Sequence, residues 1–416
     1  MMLGSRLTLA AMLALATFAA PVAAKKFEAA AETPGKVDPK NISKAVRPLL
    51  ANAQKLETAG DNAGALAQVR AAEATGSLNS TDVFFISQMK LGLGNKLKDN
   101  ALLEEAIKSS ANSEFLPAAD KPKYLRNLGA LALQRNDYAA ATTYYEQVAV
   151  LTPNDAETFT NLAVLYSRQK QNSQAIAALQ KAVTASKAAG KTPEESLYRT
   201  QLKLAVDSKL PAQVQSASMD LVTAYPSPVN WRDVLLVYRD SAKLDDQGNL
   251  DVFRLMDSAG ALNGERDYAE YVETSIGKGL PGEAKTVLAE GIAKKMLTST
   301  KPYVAEFNKT INTRVGPDRA GLPSLDKEAR TSAAAKSAMG QGDAYFGYGD
   351  YAKAAEMYRL ALTKNGVDTA TANLRLGAAL ARSGDKAGAT AALQNVKGAP
   401  REVLARYWMI WVGQKA

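Results

Sequence analysis

Few side chains in this sequence are suited to catalysis. Histidine and cysteine do not occur among the 416 residues, so the chain has no thiol nucleophile, no Cys/His zinc site and no histidine general base. Any active site has to be built from carboxylates, lysine, tyrosine or serine. Ser275-Ile276-Gly277-Lys278 has the S-x-x-K spacing of penicillin-binding enzymes, but no K-T-G motif follows. We interpret this match as chance.

Acidic residues cluster at three places, and none has the spacing of a site. Glu104-Glu105 and Glu194-Glu195 are adjacent in sequence and point to different helix faces, which does not suit an acid/base pair. Residues 245–249 resemble a calcium loop. With Gly248 at its sixth position, Lys243 and Arg254 occupy the first and twelfth positions, where carboxylates are needed. The sequence therefore predicts no enzyme, no metal site and no cofactor.

The clearest pattern is a segment that occurs twice. Leu128-Gly129 recurs as Leu162-Ala163 after 34 residues, and Ala141 recurs as Ala175 at the same interval. A period of this length is typical of paired antiparallel helices that stack on one another. Pro153 follows the first copy and cannot continue a helix. Helix pairs are therefore expected at 122–155 and 156–189.

These residues resemble the tetratricopeptide repeat (TPR). The matching positions are Leu125, Leu128, Gly129, Asp137-Tyr138, Ala141, Tyr145 and Pro153, then Phe159, Leu162, Ala163, Tyr166, Ala175, Leu179 and Ala182. Two further copies near the C-terminus carry Gly342, Tyr345, Gly349-Asp350-Tyr351, Ala354 and Tyr358, then Leu376-Gly377, Gly384-Asp385, Ala389 and Leu393. The resemblance implies an all-α, right-handed superhelical solenoid of antiparallel helix pairs. It also implies a scaffold that binds other proteins or peptides and has no catalysis of its own.

Breaks in the repeat predict the domain organisation. A flexible leader is expected at 25–41, an N-terminal TPR-like array at 42–298 and a C-terminal TPR pair at 331–398. The segment 299–330 contains prolines and glycines at 302, 316, 317, 321 and 323, which predicts a linker and a hinge between the two arrays. Residues 399–416 predict a capping helix over the last apolar face. Trp408 and Trp411 in that helix are either part of the cap or a docking site.

The N-terminus predicts export. Arg6 precedes an apolar run from Leu7 to Ala20, and the small residues Val22 and Ala24 predict a signal peptide at 1–24 that is cleaved after Ala24. A transmembrane helix is the alternative, although the run is short for one and ends at a proline. The mature chain is therefore expected in the periplasm or outside the cell, with no transmembrane segment after signal removal.

The TPR resemblance also predicts a binding groove. In this family, partners usually lie along the concave face formed by the first helix of each pair. The matching positions of this chain are Arg126, Asn127, Leu133, Asn161, Val164 and Arg168 in the central copies, and Lys336, Asp343, Phe346, Arg375 and Arg382 in the last two. For any single arginine or lysine in this set, simple solvation is the alternative. As a set they favour an extended acidic ligand.

Charge narrows the class of partner. The formal net charge is +9, which attracts acidic proteins or anionic envelope polymers and repels cationic ones. Nucleic acid is not expected, because no basic run is interleaved with aromatic residues. The sequence therefore predicts a scaffold or adaptor for protein interactions in the bacterial cell envelope. The alternative is a module that binds anionic polysaccharide or peptidoglycan, and a hydrolase ranks below both.

Overall fold

A computed structural model describes residues 37–415 of the chain. The predicted signal peptide at 1–24 and its cleavage site after Ala24 lie outside the described residues, as does the leader up to residue 36. The chain divides into two compact units, unit 1 up to Ser208 and unit 2 from Lys209 onwards. Between residues 37 and 415 every regular element is helical, and neighbouring helices pack in pairs. The predicted all-α array of helix pairs is therefore confirmed.

Unit 1 begins with a short 3-10 helix at Pro39–Asn41 and continues with nine α-helices. They are α1 (Arg47–Thr58), α2 (Asn62–Glu73), α3 (Ser80–Leu97), α4 (Asn100–Ala111), α5 (Lys121–Gln134), α6 (Tyr138–Leu151), α7 (Ala156–Arg168), α8 (Asn172–Ala188) and α9 (Glu195–Asp207). Each helix packs against the next in chain order from α1 to α9.

The turns inside the α1–α2 and α5–α6 pairs of unit 1 follow from their sequences. Asp137 caps α6 by accepting a hydrogen bond from the backbone N–H of Ala140 at 3.0 Å, and Asp61 caps α2 in the same way. The residue before each of these aspartates is left-handed, with φ of 58° at Asn136 and 85° at Gly60. The helix therefore stops, reverses and restarts within a few residues.

Small residues let the two helices of a pair approach closely. A Cβ placed on Gly129 of α5 would lie 2.6 Å from a ring carbon of Tyr145 in α6. Ala141 is completely buried against the same helix pair. The tyrosine therefore fills space that exists only because the facing position has no side chain.

Unit 2 contains eleven α-helices within the described residues. They are α10 (Pro211–Ala224), α11 (Pro228–Ser241), α12 (Asp246–Ser258), α13 (Glu265–Gly277), α14 (Pro281–Ala293), α15 (Pro302–Thr331), α16 (Ala335–Gly347), α17 (Tyr351–Leu362), α18 (Thr369–Ser383), α19 (Lys386–Gln394) and α20 (Arg401–Gln414).

Helix α20 does more than cover the end of unit 2. It packs against α18 and α19, as expected of a cap, and also against α10 and α12. The Tyr407 ring meets that of Trp231 edge-on at 6.2 Å, and the Trp411 Nε1–H donates to the carbonyl of Ser258 at 3.1 Å. Trp408 and Trp411 are only 1% and 7% exposed. The interpretation of these tryptophans as a docking site is therefore wrong, because both are core residues of unit 2.

The segment 299–330 is not a linker. It forms most of α15, a 30-residue helix that contains Pro317 and Pro323 and packs against α14 and α16. Each proline removes one helical hydrogen bond, but the Thr313 and Arg319 residues that lose it are exposed, so water can satisfy their carbonyls. Tyr348, which directly follows α16, holds the helix by donating to Asp318 Oδ2 at 2.6 Å. The two compact units divide at Ser208–Lys209 instead, inside the predicted N-terminal array.

No helix between residues 37 and 415 combines the length and the apolar character needed to cross a membrane.

Candidate functional site

The predicted groove corresponds to a surface in each unit, and the two surfaces differ. We call the surface formed by α5 and α7 the A-helix face of unit 1. Its predicted contact residues are Arg126, Asn127 and Leu133 of α5 and Asn161, Val164 and Arg168 of α7. The A-helix face of unit 2 is formed by α16 and α18, with Lys336, Asp343, Phe346, Arg375 and Arg382.

Helix α7 leaves polar groups available on the A-helix face of unit 1. Asn161, Val164 and Arg168 are spaced by three and then four residues, so they share one helix face. Asn161 and Val164 are half-buried and Arg168 is exposed. Within residues 37–415, no side-chain hydrogen bond or ion pair involves Asn161 or Arg168. An amide and a guanidinium beside an apolar side chain can therefore take a ligand here.

Helix α5 contributes less than predicted, because Arg126 is already paired. Its Nη2 donates to Asp155 Oδ2 at 2.7 Å and so joins α5 to the N-terminus of α7. Burial alone would raise the pKa of Asp155, but hydrogen bonds from Thr158 and the Arg126 charge outweigh it and hold the pKa below its ordinary value. Arg126 is therefore part of the helix–helix contact, and its prediction as a groove residue needs that correction.

The other two predicted residues of α5 remain on the surface. Asn127 is half-buried and its Nδ2 donates to the carbonyl of Lys123 at 2.8 Å, while its Oδ1 receives no hydrogen bond within the described chain. Leu133 is half-buried as well. Both can contribute to a contact, Asn127 as an acceptor and Leu133 through apolar surface.

The A-helix face of unit 2 is filled by the unit's own side chains. Arg375 of α18 is 4% exposed, and its Nε and Nη1 donate to Asp251 Oδ1 at 2.9 Å and to Asp343 Oδ2 at 2.7 Å. Asp251 comes from α12, which packs directly onto α18. The prediction that Arg375 and Asp343 line an open groove is therefore wrong for this structure, because each is the other's buried partner.

Arg254 of α12 lies at the centre of the same network. It is 2% exposed, and its guanidinium binds both Glu283 oxygens at 2.8 and 2.7 Å and Asp343 Oδ1 at 3.1 Å. The guanidinium also lies 4.4 Å from the ring centroid of Phe346. Phe346 is thereby buried, so it is not a contact residue of an open groove either.

Two tyrosines complete the network. The Tyr271 hydroxyl donates to Glu283 Oε1 at 2.7 Å, and the Tyr358 hydroxyl donates to Asp343 Oδ1 at 2.7 Å. Burial raises the pKa of both tyrosines well above their ordinary value. At Asp343 the charges of Arg375 and Arg254 outweigh burial and lower the pKa, whereas burial dominates at Asp251 and raises it.

Of the other two predicted residues of unit 2, Arg382 is hydrogen-bonded within the unit and Lys336 is exposed. Arg382 donates to Asp257 Oδ2 at 2.7 Å and to the Tyr351 hydroxyl at 2.5 Å, so it also serves the interior of unit 2. Lys336 is exposed and forms no ion pair within residues 37–415.

Ser275 and Lys278, the two reactive residues of the S-x-x-K match, each have a partner of their own. The hydroxyl of Ser275 is buried and donates to the Tyr271 carbonyl at 2.9 Å, while Lys278 pairs with Asp246 at 3.1 Å, so the S-x-x-K spacing forms no catalytic pair. In the part of the chain that the structure describes, no group of three or more acidic residues is placed to hold a metal ion. The carboxylates of the network are held by guanidinium groups, so their chemistry is structural.

Sequence reasoning missed Asp251, Arg254 and Glu283. One signal for Arg254 was present, because it interrupts the apolar run Leu250 to Met256 on a helix whose face is otherwise core. A charged residue in such a position is rarely buried without a partner. The identity of that partner was not in the local sequence, since Glu283 and Asp343 lie 29 and 89 residues away.

Comparison with known proteins gives one family match. The model of the tetratricopeptide repeat matches residues 156–188, which correspond to helices α7 and α8. No curated protein shows significant sequence similarity to the chain.

Solved structures that resemble the chain include several repeat proteins. A structure of PilF from Pseudomonas aeruginosa is 18% identical and covers 45% of this chain and 80% of its own, with a TM-score of 0.24. A tetratricopeptide repeat protein from Parabacteroides merdae is 10% identical and covers 81% of this chain and 100% of its own, with a TM-score of 0.26. A TPR protein from Thermus thermophilus is 14% identical and covers 52% and 100%, with a TM-score of 0.22. Similarities at these TM-scores say nothing about the function of this chain.

Helix pairs that stack on their neighbours in chain order define an α-helical repeat protein. The family match identifies helices α7 and α8 as a tetratricopeptide repeat, and the chain is similar to proteins that are built from such repeats. Proteins of this kind are scaffolds for interactions with other proteins or peptides.

Proposed function

We propose that the chain is a non-catalytic scaffold that binds another protein through the A-helix face of unit 1. The observation that supports this choice of surface is that Asn161 and Arg168 on α7, beside the half-exposed Val164, have no side-chain partner within residues 37–415. The same repeat positions in unit 2 are Arg375 and Arg382, and both are bound within that unit.

The chemistry of the face favours an extended peptide segment with a carboxylate. An asparagine side chain can bond a peptide N–H and C=O together, and an exposed guanidinium binds a carboxylate through paired hydrogen bonds. Leu133 and Val164 are half-buried and add apolar surface to this face. An acidic or C-terminal segment of a partner protein meets these requirements.

We further propose that this binding takes place outside the cytoplasm, in the bacterial cell envelope. The support is the sequence of residues 1–24, whose pattern is that of a cleaved signal. Mass spectrometry of the N-terminus of the mature protein tests this proposal directly. A mature chain that begins at Lys25 agrees with it, and an intact N-terminus recovered from the cytoplasm contradicts it.

Site-specific photo-crosslinking tests the binding surface. A photoreactive amino acid at Val164 is expected to capture a partner in intact cells, whereas the same group at Val150 is expected to capture none. Val150 is the matched control because it is 80% exposed and lies on α6, the second helix of its pair. Equal capture from both positions would contradict the assignment of the face.

Arg168→Glu sharpens the experiment. This change reverses the charge at Arg168, which is exposed and has no partner in the part of the chain that the structure describes. Capture at Val164 should therefore be lost while the melting temperature stays unchanged. A surface substitution of this kind alters stability by no more than about 0.5 kcal/mol. If capture at Val164 survives Arg168→Glu, the partner does not bind the Arg168 guanidinium and the proposed recognition of a carboxylate fails. If the species captured at Val164 is a polysaccharide and not a protein, the protein scaffold proposal fails.

A further inference from the structure

Unit 2 contains a cleft that is separate from both A-helix faces. It has a volume of ≈ 420 Å³ and lies between α11, α12 and α13. Its size is that of a site for a small molecule or for one to two side chains of a peptide. None of the groups of the buried Arg254 network lines it.

One face of α12 and one face of α13 form the walls of the cleft. On α12, Asn249 and Phe253 lie four residues apart, and on α13, Glu270, Glu273 and Gly277 follow at intervals of three and four. Such spacing puts each set on one side of its helix. A Cβ added to Gly277 would meet no atom within 4 Å, so the cleft is open at the end of α13.

The floor of the cleft is aromatic and fixed. Phe253 is 2% exposed and stacks on Tyr271 with ring centroids 5.2 Å apart and planes 10° from parallel. The Arg239 guanidinium lies 5.1 Å from the Phe253 ring centroid. The ring face that a ligand cation would otherwise use is therefore taken by a residue of the protein itself.

The cleft is lined by more acidic side chains than basic ones. Arg239 Nη2 pairs with Glu270 Oε2 at 2.8 Å, and Lys278 Nζ pairs with Asp246 Oδ2 at 3.1 Å, so both cations of the cleft have partners. Glu273 is exposed and forms no ion pair or hydrogen bond through its side chain within residues 37–415. The group left for a ligand is therefore a carboxylate.

A second polar side chain, that of Asn249 on α12, lines the cleft together with Glu273. The Asn249 carboxamide is half-buried, and no hydrogen bond to it occurs in the described part of the chain. An unpaired carboxamide can bond the backbone N–H or C=O of a peptide, as it carries both a donor and an acceptor. The cleft thus offers one site for a cation and one for a peptide backbone.

We propose that this cleft binds the cationic side chain of a lysine or arginine residue in a partner peptide. Glu273 accepts hydrogen bonds from the ammonium or guanidinium group, and Asn249 bonds the adjoining peptide backbone. Unit 2 therefore has its own binding site, with a preference opposite in charge to that of the A-helix face of unit 1. This inference goes beyond the proposed function and does not depend on it.

Blocked pentapeptides with one variable central residue test the proposal. Isothermal titration calorimetry with the full chain compares lysine, norleucine and glutamate at that position, which keeps length and backbone constant. The lysine peptide should bind about tenfold more tightly than the norleucine peptide, the factor expected of one charge-assisted hydrogen bond. The glutamate peptide should bind more weakly than either.

Two variants separate recognition from folding. Glu273→Gln should lower the affinity for the lysine peptide to that for the norleucine peptide. Gly277→Gln should block the cleft, because the new side chain enters its open end without a clash at Cβ. Glu306→Gln is the matched control, as Glu306 on α15 is exposed and its carboxylate has no partner among the described residues. Neither test substitution lies in the core, so the melting temperature should not fall.

Specific results overturn the proposal. Equal affinity of the lysine and norleucine peptides shows that the charge is not recognised. Unchanged affinity in Glu273→Gln or in Gly277→Gln shows that the peptide binds elsewhere. Arg168→Glu in unit 1 should leave the titration unchanged, so failure at one of the two surfaces can be told apart from failure at the other.

Discussion

The two A-helix faces show that one repeat position can carry opposite roles. Arg168 in unit 1 and Arg382 in unit 2 stand at the same distance after the repeat leucines Leu162 and Leu376. The first is exposed and unpaired within the described residues, and the second is bound to Asp257 of α12 at 2.7 Å. The sequence of the repeat is therefore not enough to tell a binding residue from an internal one.

Helix α12 accounts for the difference. It presents Asp251, Arg254 and Asp257, three residues apart, toward α14, α16 and α18 of its own unit. In unit 1, the side chains of α7 that correspond to Arg375 and Arg382 form no bond of this kind. A groove position is available to a partner only where no helix of the same unit supplies the counter-charge.

The largest expected effect is that of breaking the Arg254 network. Arg254→Met keeps most of the volume but leaves Glu283 and Asp343 without their shared cation, and breaking a buried pair in this way destabilises by about 3–5 kcal/mol. Urea unfolding followed by tryptophan fluorescence measures this directly, because Trp231, Trp408 and Trp411 all lie in unit 2. Arg168→Met in unit 1 is the control and should leave the free energy of unfolding unchanged. A loss for Arg254→Met no larger than that of the control would mean that water already compensates the carboxylates.

Overpacking of a helix pair should affect both units equally. Ala141 in unit 1 and Ala354 in unit 2 are completely buried between the helices of their pairs. Replacement of either by leucine is expected to lower the free energy of unfolding by about 1–3 kcal/mol. Hydrogen exchange of α5–α6 and of α16–α17 would locate each loss. A large effect in only one of the two units would show that their pair packing is not equivalent.

The stability of the two units should depend on pH in opposite directions. In unit 2, burial raises the pKa of Asp257 above its ordinary value of 3.8, so its contribution to stability is present at low pH and is lost as pH rises through the raised pKa. In unit 1, the pKa of Asp155 is lowered from 3.8, so its contribution is present above that value and is lost as pH falls through the lowered pKa.

Thermal unfolding at several pH values measures this contrast. Asp257→Asn should flatten the loss of unit 2 stability with rising pH, as followed by tryptophan fluorescence. Asp155→Asn should reduce the loss of α7 stability at low pH, as followed by hydrogen exchange. If both variants alter the same limb of the pH profile, the opposite directions assigned to the two carboxyl groups are wrong.

The smallest expected effect is that of the surface pair Arg126–Asp155. Its side chains are 39% and 27% exposed, so solvent screens the interaction, and exposed pairs contribute about 0.2–1 kcal/mol. Arg126→Ala should therefore reduce the free energy of unfolding of unit 1 far less than Arg254→Met reduces that of unit 2. A loss in unit 1 as large as that in unit 2 would mean that burial does not separate the two arginines.

The local sequence was sufficient for the helix pairs. The 34-residue interval relates two successive repeats, and the Asp137 cap and the Gly129–Tyr145 contact lie within one repeat, so all three depend on residues that are near in sequence. The TPR match of residues 156–188 and the all-α fold both agree with this pattern. Export, the nature of the partner and the other contact residues of unit 1 remain predictions, whereas Arg126 was reassigned because of its ion pair with Asp155.

Only the tertiary structure decided which surfaces are free. Arg375 meets Asp251 across 124 residues, and Arg254 meets Asp343 across 89, so their burial depends on which helices pack and not on any local pattern. The same holds for α15, whose two prolines predicted a break although packing against α14 and α16 keeps it helical. Short-range periodicity therefore determined where this protein forms its repeats, whereas long-range pairing of buried charges determined which repeats a partner can reach.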